Sequence, residues 1–411
     1  MNSPFTQKEI IELREQFPIL SQQVNGYPLV YFDNAATTQK PKRVIQEIVR
    51  YYSELNANIH RGAHFLANKS TDLFEATREC VKNHIHAKHV DEIIFTQGCT
   101  DSLNLVAFSL GSFLKPGDEV WVTEMEHHAN FVPWQLAAER TGAIFRVIPI
   151  TDSGEWDWNF IEREVTTNAK IIAFNWVSNA LGTVNDAKRM CDFCSKLGAY
   201  SVLDGAQAIA HLEVNVQDLG CDFFAFSAHK IYGPTGLGVL YGKLDLLNSM
   251  PPYKSGGEMI KDVRIEGTTF QNAPFRFETG TPNIEAVIAF RKSLEFISEI
   301  GKERAHAHEQ FLTTMCEDVL KSVGEEIKIY GSQVNRIGVL SFQLEGVHSS
   351  DLGALLDQQG VAIRTGHHCA QPIWNKYKVN GSARVSFACY NTEQEVNYFH
   401  GALKKSLNML L

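Results

Sequence analysis

AYSVLDGAQAIAHLEVNVQDLGCDFFAFSAHKIYGPTGLGVL, residues 199–240, holds two short β-rich runs, AYSVLD and DFFAFS, on either side of a stretch with helical texture. Both runs are apolar at nearly every position, as strands buried on two faces are, and both end on polar residues. Outward toward the N-terminus the same rhythm repeats in DEIIF (91–95), DEVWVT (118–123), AIFRVIPI (143–150) and KIIAFNWV (170–177), each beside an amphipathic segment. Strands alternating with helices predict an α/β fold with a mainly parallel sheet. In such sheets ligands gather at the carboxyl ends of the strands, so the residues that follow each run carry most of the functional weight.

Toward the C-terminus the texture changes. Ile284 to about Val323 reads as one long helix, with Glu285–Ile300 able to connect into a second region. There RIGVLSFQL, VAIRT and ARVSFA are strand-like while SSDLGALLDQQ and Glu393–Leu410 are helical, which predicts a smaller α+β C-terminal domain. The expected division is an N-terminal segment, residues 1–24, packing with the small domain, a large domain over 25–295 and the small domain over 296–411. No repeat or Gly/Ser/Pro linker separates them, so a docked cleft is the natural site.

With 47 acidic against 38 basic residues the formal net charge is -9, and no Lys/Arg run is interleaved with aromatics. Neither nucleic acid nor an anionic membrane is favoured; small molecules and proteins remain as partners. The N-terminal MNSPFTQKEIIELREQF mixes charges with single apolar residues and has no uninterrupted apolar stretch, so a cytoplasmic protein is expected. Eight cysteines scattered through 411 residues read as reduced thiols, not as a disulfide framework.

The strand-end rule selects the candidates. FSAHKIYGPTGLG sets Lys230 in a polar turn directly after a strand, where a desolvated amine forms Schiff bases, with Ser227 and His229 beside it to bind an anion. An isolated turn lysine is more often a surface residue; the company of Lys230 changes that. Asp204 ends AYSVLD, where a buried carboxylate needs a cation such as a protonated pyridine nitrogen, although DGAQ is also an ordinary helix cap. Gln207 is placed to bond a phenolic oxygen on the same ring. In EIIFTQGCTDSLNLVA, Thr100 and Asp101 open a helix whose free amides suit a phosphate, a weak signal on its own. EMEHHAN puts His127 and His128 after a further strand, where one imidazole stacks on a planar ring and shuttles protons; Asn179 follows KIIAFNWV. The pairs His60/His64, His84/His86 and His306/His308 mimic metal spacings without a convergent third ligand, so no metal is expected. Cys191 and Cys194 form a CxxC inside a helical pattern without a second pair, which favours structural thiols.

The set Lys230, Asp204, Gln207, Asn179, His127 and Thr100 resembles the class V branch of the fold-type-I pyridoxal-phosphate enzymes. The C-terminal VAIRTGHHCAQP and ARVSFACYNTEQEV are similar to the group II cysteine desulfurases and selenocysteine lyases. The resemblance runs over almost the whole chain, through YFDNAATTQKP, NIHRGAH, EMEHHAN, VSNALGT, SAHKIYGPTGLG and RFETGTPN. It implies a large domain with a seven-stranded sheet, pyridoxal 5'-phosphate as cofactor, and L-cysteine or L-selenocysteine as substrate. By the same resemblance Lys230 carries the cofactor, Asp204 pairs with its pyridine nitrogen, Gln207 and Asn179 contact the ring oxygen, and His127 stacks on the ring. Thr100, Ser227 and His229 would hold the phosphate, with Thr281 of a neighbouring subunit, which implies a homodimer. Arg384 would clamp the substrate carboxylate, with Arg364, His60 and Arg61 lining the cleft.

Cys369 would take sulfur from the substrate as a persulfide and pass it to a small acceptor protein for iron–sulfur cluster assembly. That attack needs a thiolate, and Arg364, His367 and His368 are the positive neighbours close in sequence. Two departures stand out: the phosphate turn reads GCT where the family usually has GTT, and KSGGEM replaces a run of three glycines. The alternatives are another class V enzyme, such as a transaminase, a kynureninase-like hydrolase or an epimerase, none of which needs Cys369, or an idle scaffold.

Overall fold

The computed structural model describes residues 3–324 and 327–410. Its main sheet has seven strands: β1 (Ile93–Thr96), β2 (Glu119–Thr123), β3 (Ile144–Ile148), β4 (Ala169–Asn175), β5 (Tyr200–Asp204), β6 (Phe223–Ser227) and β7 (Gly238–Gly242). The spatial order is β1-β7-β6-β5-β4-β2-β3, parallel from β6 to β3, with β7 antiparallel to both of its neighbours. The apolar runs of the sequence therefore sit at the centre, where β2, β5 and β6 are covered on both faces by two cores, one built around Phe224 and Phe226 and the other around Val122, Val202 and Ala225. Burial of each such aliphatic or aromatic side chain is worth about 1.5–3 kcal/mol, which is what sets the register of these strands.

β1, β2, β4, β5 and β6 all end at one edge of this sheet, so the turns after Thr96, Thr123, Asn175, Asp204 and Ser227 converge there. Two glycines permit the convergence. A Cβ on Gly205 would lie 2.1 Å from the Phe224 ring, and one on Gly238 would lie 2.4 Å from the backbone of Gly98. A side chain at either position would push the DGAQ turn or the phosphate turn out of place.

A second sheet of four antiparallel strands, β8 (Ile327–Tyr330), β9 (Val339–Leu344), β10 (Arg364–Gly366) and β11 (Ser382–Ser386), runs in the order β8-β9-β11-β10. The helix Glu393–Leu410 lays Val396, Phe399, Leu403 and Leu407 against its core, the spacing of one helical face. Val30–Tyr31 pairs in parallel with Val361–Ala362, and Val30 and Phe32 enter this same core. Upstream, Leu13, Phe17 and Leu20 join a core that also holds Tyr390, with the Phe17 and Tyr390 rings 4.6 Å apart, and Arg14 pairs with Glu395 at 2.9 Å.

The expected single helix over 284–323 is in fact two, Ile284–Ile300 and Lys302–Val323. Gly301 sits between them at φ +80°, a conformation that residues with a side chain resist, and it turns the chain. Among the described residues no helix is long and apolar enough to cross a membrane.

One buried ion pair anchors the segment that carries Thr281. Arg78, 1% exposed, donates through Nη2 to Glu278 Oε2 at 2.8 Å and through Nη1 to the Ile93 carbonyl at 2.9 Å, while Glu278 Oε1 accepts from the Phe95 amide at 2.7 Å. Removing one partner leaves a buried charge uncompensated. Arg78→Ala is therefore expected to destabilise the protein by about 3–5 kcal/mol, measured by urea unfolding; a loss below about 1 kcal/mol would show that the pair is not held in a dry interior.

Candidate active site

At the convergent strand ends lies a cleft of about 230 Å³ lined by Ala36, Cys99, Thr100, His127, Asn179, Asp204, Gln207, Ser227, His229, Lys230, Arg364 and Cys369, among others. Nine residues singled out for this site in the sequence thus share one cavity with Cys369: Lys230, Asp204, Gln207, Asn179, His127, Thr100, Ser227, His229 and Arg364.

Lys230 follows β6 in a short 3-10 turn, and its Nζ donates to the Ala35 carbonyl. Burial lowers its pKa to about 8, aided by the Arg384 charge and opposed by Asp204, so about a tenth of the amine is unprotonated at pH 7. Asp204 ends β5, where burial raises its pKa against the hydrogen bond from the Ala206 amide, 2.8 Å from Oδ1. No Lys or Arg side chain bonds this carboxylate among the described residues; the Cys99 thiol lies 3.5 Å from Oδ1. Cys99 therefore meets the carboxylate, not the phosphate turn's anion site, and burial pushes its thiol well above the ordinary value.

His127 accepts at Nδ1 from the Ala129 amide at 3.0 Å, which leaves the proton of the neutral ring on Nε2. Burial, then Lys230 and the neighbouring cations, lowers its pKa to about 4, so it is neutral across the working range. Gln207 Nε2 donates to the Ala35 carbonyl at 2.8 Å, and Asn179 Nδ2 to the His368 carbonyl at 2.6 Å.

The helix Cys99–Ser109 points its first turn at the cleft. The Cys99 amide is taken by Ser227 Oγ at 2.8 Å, while the next amides, of Thr100 and Asp101, have no intrahelical acceptor. His229 Nδ1 is buried without a partner beside them. A phosphate fits that end, a cationic ring nitrogen fits Asp204 at the other, and an amine waits between them. The residues present thus suit pyridoxal phosphate on their own chemistry.

Cys369 stands on a loop between β10 and the helix Gln371–Tyr377, half-buried, with the Arg364 Nη2 donor 3.6 Å from its sulfur. The loop is docked by its main chain: the His128 amide donates to the Cys369 carbonyl at 2.7 Å, and the Gln371 amide donates to His128 Nε2 at 3.1 Å. His368 and Cys369 both have positive φ, +52° and +56°. Two successive residues with side chains in this region cost about 1–2 kcal/mol each, strain that the docking contacts must offset.

Two expected cleft residues, His60 and Arg61, lie elsewhere, together with Thr281, which is expected to serve a neighbouring subunit's phosphate. His60, Arg61 and Thr281 line a separate recess with Glu258 and Glu278. The reason is electrostatic: His60 Nε2 is 3.0 Å from Glu75, and Arg61 Nε is 2.8 Å from Glu258. Arg384 is 1% exposed and already donates to Asp33 Oδ1 at 3.0 Å and the Asn179 carbonyl at 2.7 Å, with Nε unpartnered. Its guanidinium stands behind the cleft wall. Asp33 and Ala35, from the YFDNAATTQKP stretch, received no role in the sequence, although the motif that holds them was visible.

Glu126 was also missed. It is fully buried beneath His127, accepts from the Asn175 amide at 2.9 Å, Asn130 Nδ2 at 2.6 Å and the Thr123 hydroxyl, and burial raises its pKa to about 8. A carboxyl whose folded pKa exceeds its unfolded value of 4.5 gives stability that is full below pH 4.5 and is lost as pH rises toward 8. The loss runs at up to roughly 1.4 kcal/mol per pH unit in that window. Glu126→Gln should remove this slope and equal or exceed the wild type in stability at pH 8, measured by denaturant titration across pH; an unchanged slope would contradict the assignment.

Residues 30–399 match the family model Aminotransferase class-V. The chain is 45% identical over 398 residues to a cysteine desulfurase of Synechococcus elongatus, covering 97% of this chain and 63% of that protein. It is 43% identical to a cysteine desulfurase of Pectobacterium carotovorum over 98% of both chains. The crystal structure of the cysteine desulfurase CsdA from Escherichia coli superposes with a TM-score of 0.91 at 37% identity, covering 98% of this chain and 99% of that one. The chain spans about two thirds of the length of the Synechococcus relative and nearly all of the other two. The chain belongs to the class-V aminotransferase family and, within it, to the cysteine desulfurases. This is a family of pyridoxal-phosphate-dependent enzymes, in keeping with the pocket around Lys230.

Proposed function

We propose that the protein is a cysteine desulfurase that converts L-cysteine to L-alanine and receives the sulfur on Cys369. The observation that carries this reading is that Cys369, with Arg364 3.6 Å from its sulfur, lines the same cleft as Lys230, Asp204 and His127. A transaminase or epimerase needs the last three and has no use for the first.

Bound pyridoxal phosphate supplies an electron sink for negative charge at the substrate's Cα. Lys230 would hold it, and its free amine can take the Cα proton, a task suited to a pKa of about 8. Asp204 would hold the ring nitrogen protonated, Gln207 and Asn179 would bond the ring oxygen, and Thr100, Ser227 and His229 would hold the phosphate. His127, neutral and carrying its proton on Nε2, would lie against the ring and can return a proton to the product. Arg364 and Arg384 provide the positive field for the substrate carboxylate, Arg364 from the cleft wall and Arg384 from behind it.

In the sulfur step the Cys369 thiolate attacks the substrate Sγ. A sulfur–sulfur bond forms as the Cβ–Sγ bond breaks, the electron pair passes to the substrate carbon skeleton, and protonation at Cβ yields alanine. Cysteine and thiol become alanine and persulfide, with no outside oxidant. Arg364 stabilises the attacking anion.

The protein acts as a cytoplasmic homodimer in this reading, with Thr281 reaching the neighbouring subunit's phosphate. Its support is that Thr281, His60 and Arg61 line a recess apart from Lys230, and that nearby Phe65 is 77% exposed. L-Selenocysteine is a second substrate, and a small acceptor protein collects the sulfur for iron–sulfur cluster assembly. The chain divides into the segment 1–24, the large domain 25–295 and the small domain 296–411, a division supported by the separate core of the C-terminal sheet. The test is product analysis: holoenzyme with L-cysteine and a reductant should release sulfide and alanine in equal amounts. Pyruvate, D-cysteine or no product would reassign it to another class V chemistry.

A further inference from the structure

We infer a divalent-metal site outside the Lys230 cleft, formed by His211, His306 and Glu309. His211 closes the short helix Ala208–His211, directly after Gln207, while His306 and Glu309 lie three residues apart on Lys302–Val323 and so share a face. One ligand atom from each lies within 4.8 Å of the other two, and His211 Nδ1 is 2.7 Å from Glu309 Oε2.

Two observations point to a cation as the ligand of this cluster. Glu309 is 2% exposed, and among the described residues the only side chain bonded to its carboxylate is His211, whose own side chain is 9% exposed. A carboxylate buried this deeply is costly unless a positive charge meets it. Independently, His306 Nδ1 is buried with no hydrogen-bond partner. Buried polar atoms in that state usually have a water or ion as partner. A protonated His211 paired with Glu309 would satisfy two of the three residues and leave His306 orphaned; one ion satisfies all three.

Two imidazoles and a carboxylate form a ligand set that zinc takes, with the fourth position open to water. Tetrahedral coordination at about 2.0–2.1 Å puts ligand atoms roughly 3.3 Å apart, so the widest pair closes by at most about 1.5 Å and the hydrogen-bonded pair opens slightly. Side-chain rotation covers both changes. The ion would tie the turn after β5, which holds Asp204 and Gln207, to the helix that leads into the C-terminal region. It takes part in no step at Lys230 or Cys369.

The test uses full-length, cofactor-loaded protein carrying Cys369→Ala, so that the cleft thiol does not compete for metal. After chelation, dialysis against zinc chloride and gel filtration, metal content is measured by mass spectrometry, alongside thermal melts with and without zinc. One zinc per chain and a rise of a few degrees in Tm are expected. Affinity should fall by more than about 100-fold in His306→Ala and in Glu309→Gln, because even outer-shell partners cost 10–100-fold. Binding should return in His306→Cys, which restores a ligand. Cofactor absorbance checks that each variant is folded, and His306, partly exposed, covers the case in which the Glu309 variant fails to fold. Absence of zinc from the parent, or equal zinc in parent and His306→Ala, would overturn the site.

Discussion

Cys369→Ala is expected to lower alanine formation from L-cysteine by roughly 10³-fold or more while the bound cofactor's absorbance stays intact. Among the described residues the hydrogen bonds of Cys369 run to Arg364 through the sulfur and to His128 through the main chain. Truncation to alanine keeps the main-chain bond and removes only the sulfur. The variant should still form alanine from L-selenocysteine, because the weaker carbon–selenium bond lets selenium leave as the element, with the bonding pair left on Cβ for protonation and no thiol needed to receive it. Steady-state alanine assays with both substrates check this. Desulfuration at the wild-type rate would show that sulfur leaves by another route, and loss of both activities would show that the loop is needed for binding.

Lys230→Arg should abolish turnover of both substrates, again by roughly 10³-fold or more. Lys230 is the only lysine that lines the cleft among the described residues. Arginine preserves the positive charge, yet a guanidinium is not deprotonated in proteins, so it neither bonds the cofactor's carbonyl carbon nor accepts a proton from Cα. Borohydride treatment followed by peptide mass analysis should place the cofactor on Lys230 in the wild type and on no residue in the variant. Retention of covalent cofactor in Lys230→Arg would point to another amine. The two variants separate the roles: the cysteine change spares selenocysteine, whereas the lysine change spares nothing.

Much of this was legible in the chain because a buried parallel strand writes itself as a short apolar run. Six runs gave six strands of the main sheet, and the rule of strand ends brought Thr100, His127, Asn179, Asp204 and Lys230 into one cleft. The seventh strand, GVLYG, is antiparallel, and nothing in five residues with two glycines states a direction. Gly301 divides a helix whose apolar pattern runs through without interruption, since periodicity is blind to a single φ.

Side-chain partnerships were harder to read than positions. His60 and Arg61 are claimed by Glu75 and Glu258, and Arg384 by Asp33, pairs that only the tertiary fold creates. Glu126 lies three residues beyond β2 in the turn that carries His127, and nothing local in the sequence shows that Thr123, Asn130 and Asn175 converge on it. His306 was weighed with His308, two residues on, which projects elsewhere and lies 2.8 Å from the Asn391 carbonyl. Its convergent partners were Glu309, one turn along the same helix, and His211 far upstream.

The central claim is that sulfur moves from the substrate to Cys369, and peptide mass spectrometry of the holoenzyme quenched during L-cysteine turnover tests it directly. The account predicts one added sulfur on the peptide that contains Cys369 and none on those with the other seven cysteines. Alanine accumulating while the Cys369 peptide stays unmodified, or sulfur found on a different cysteine, would contradict it.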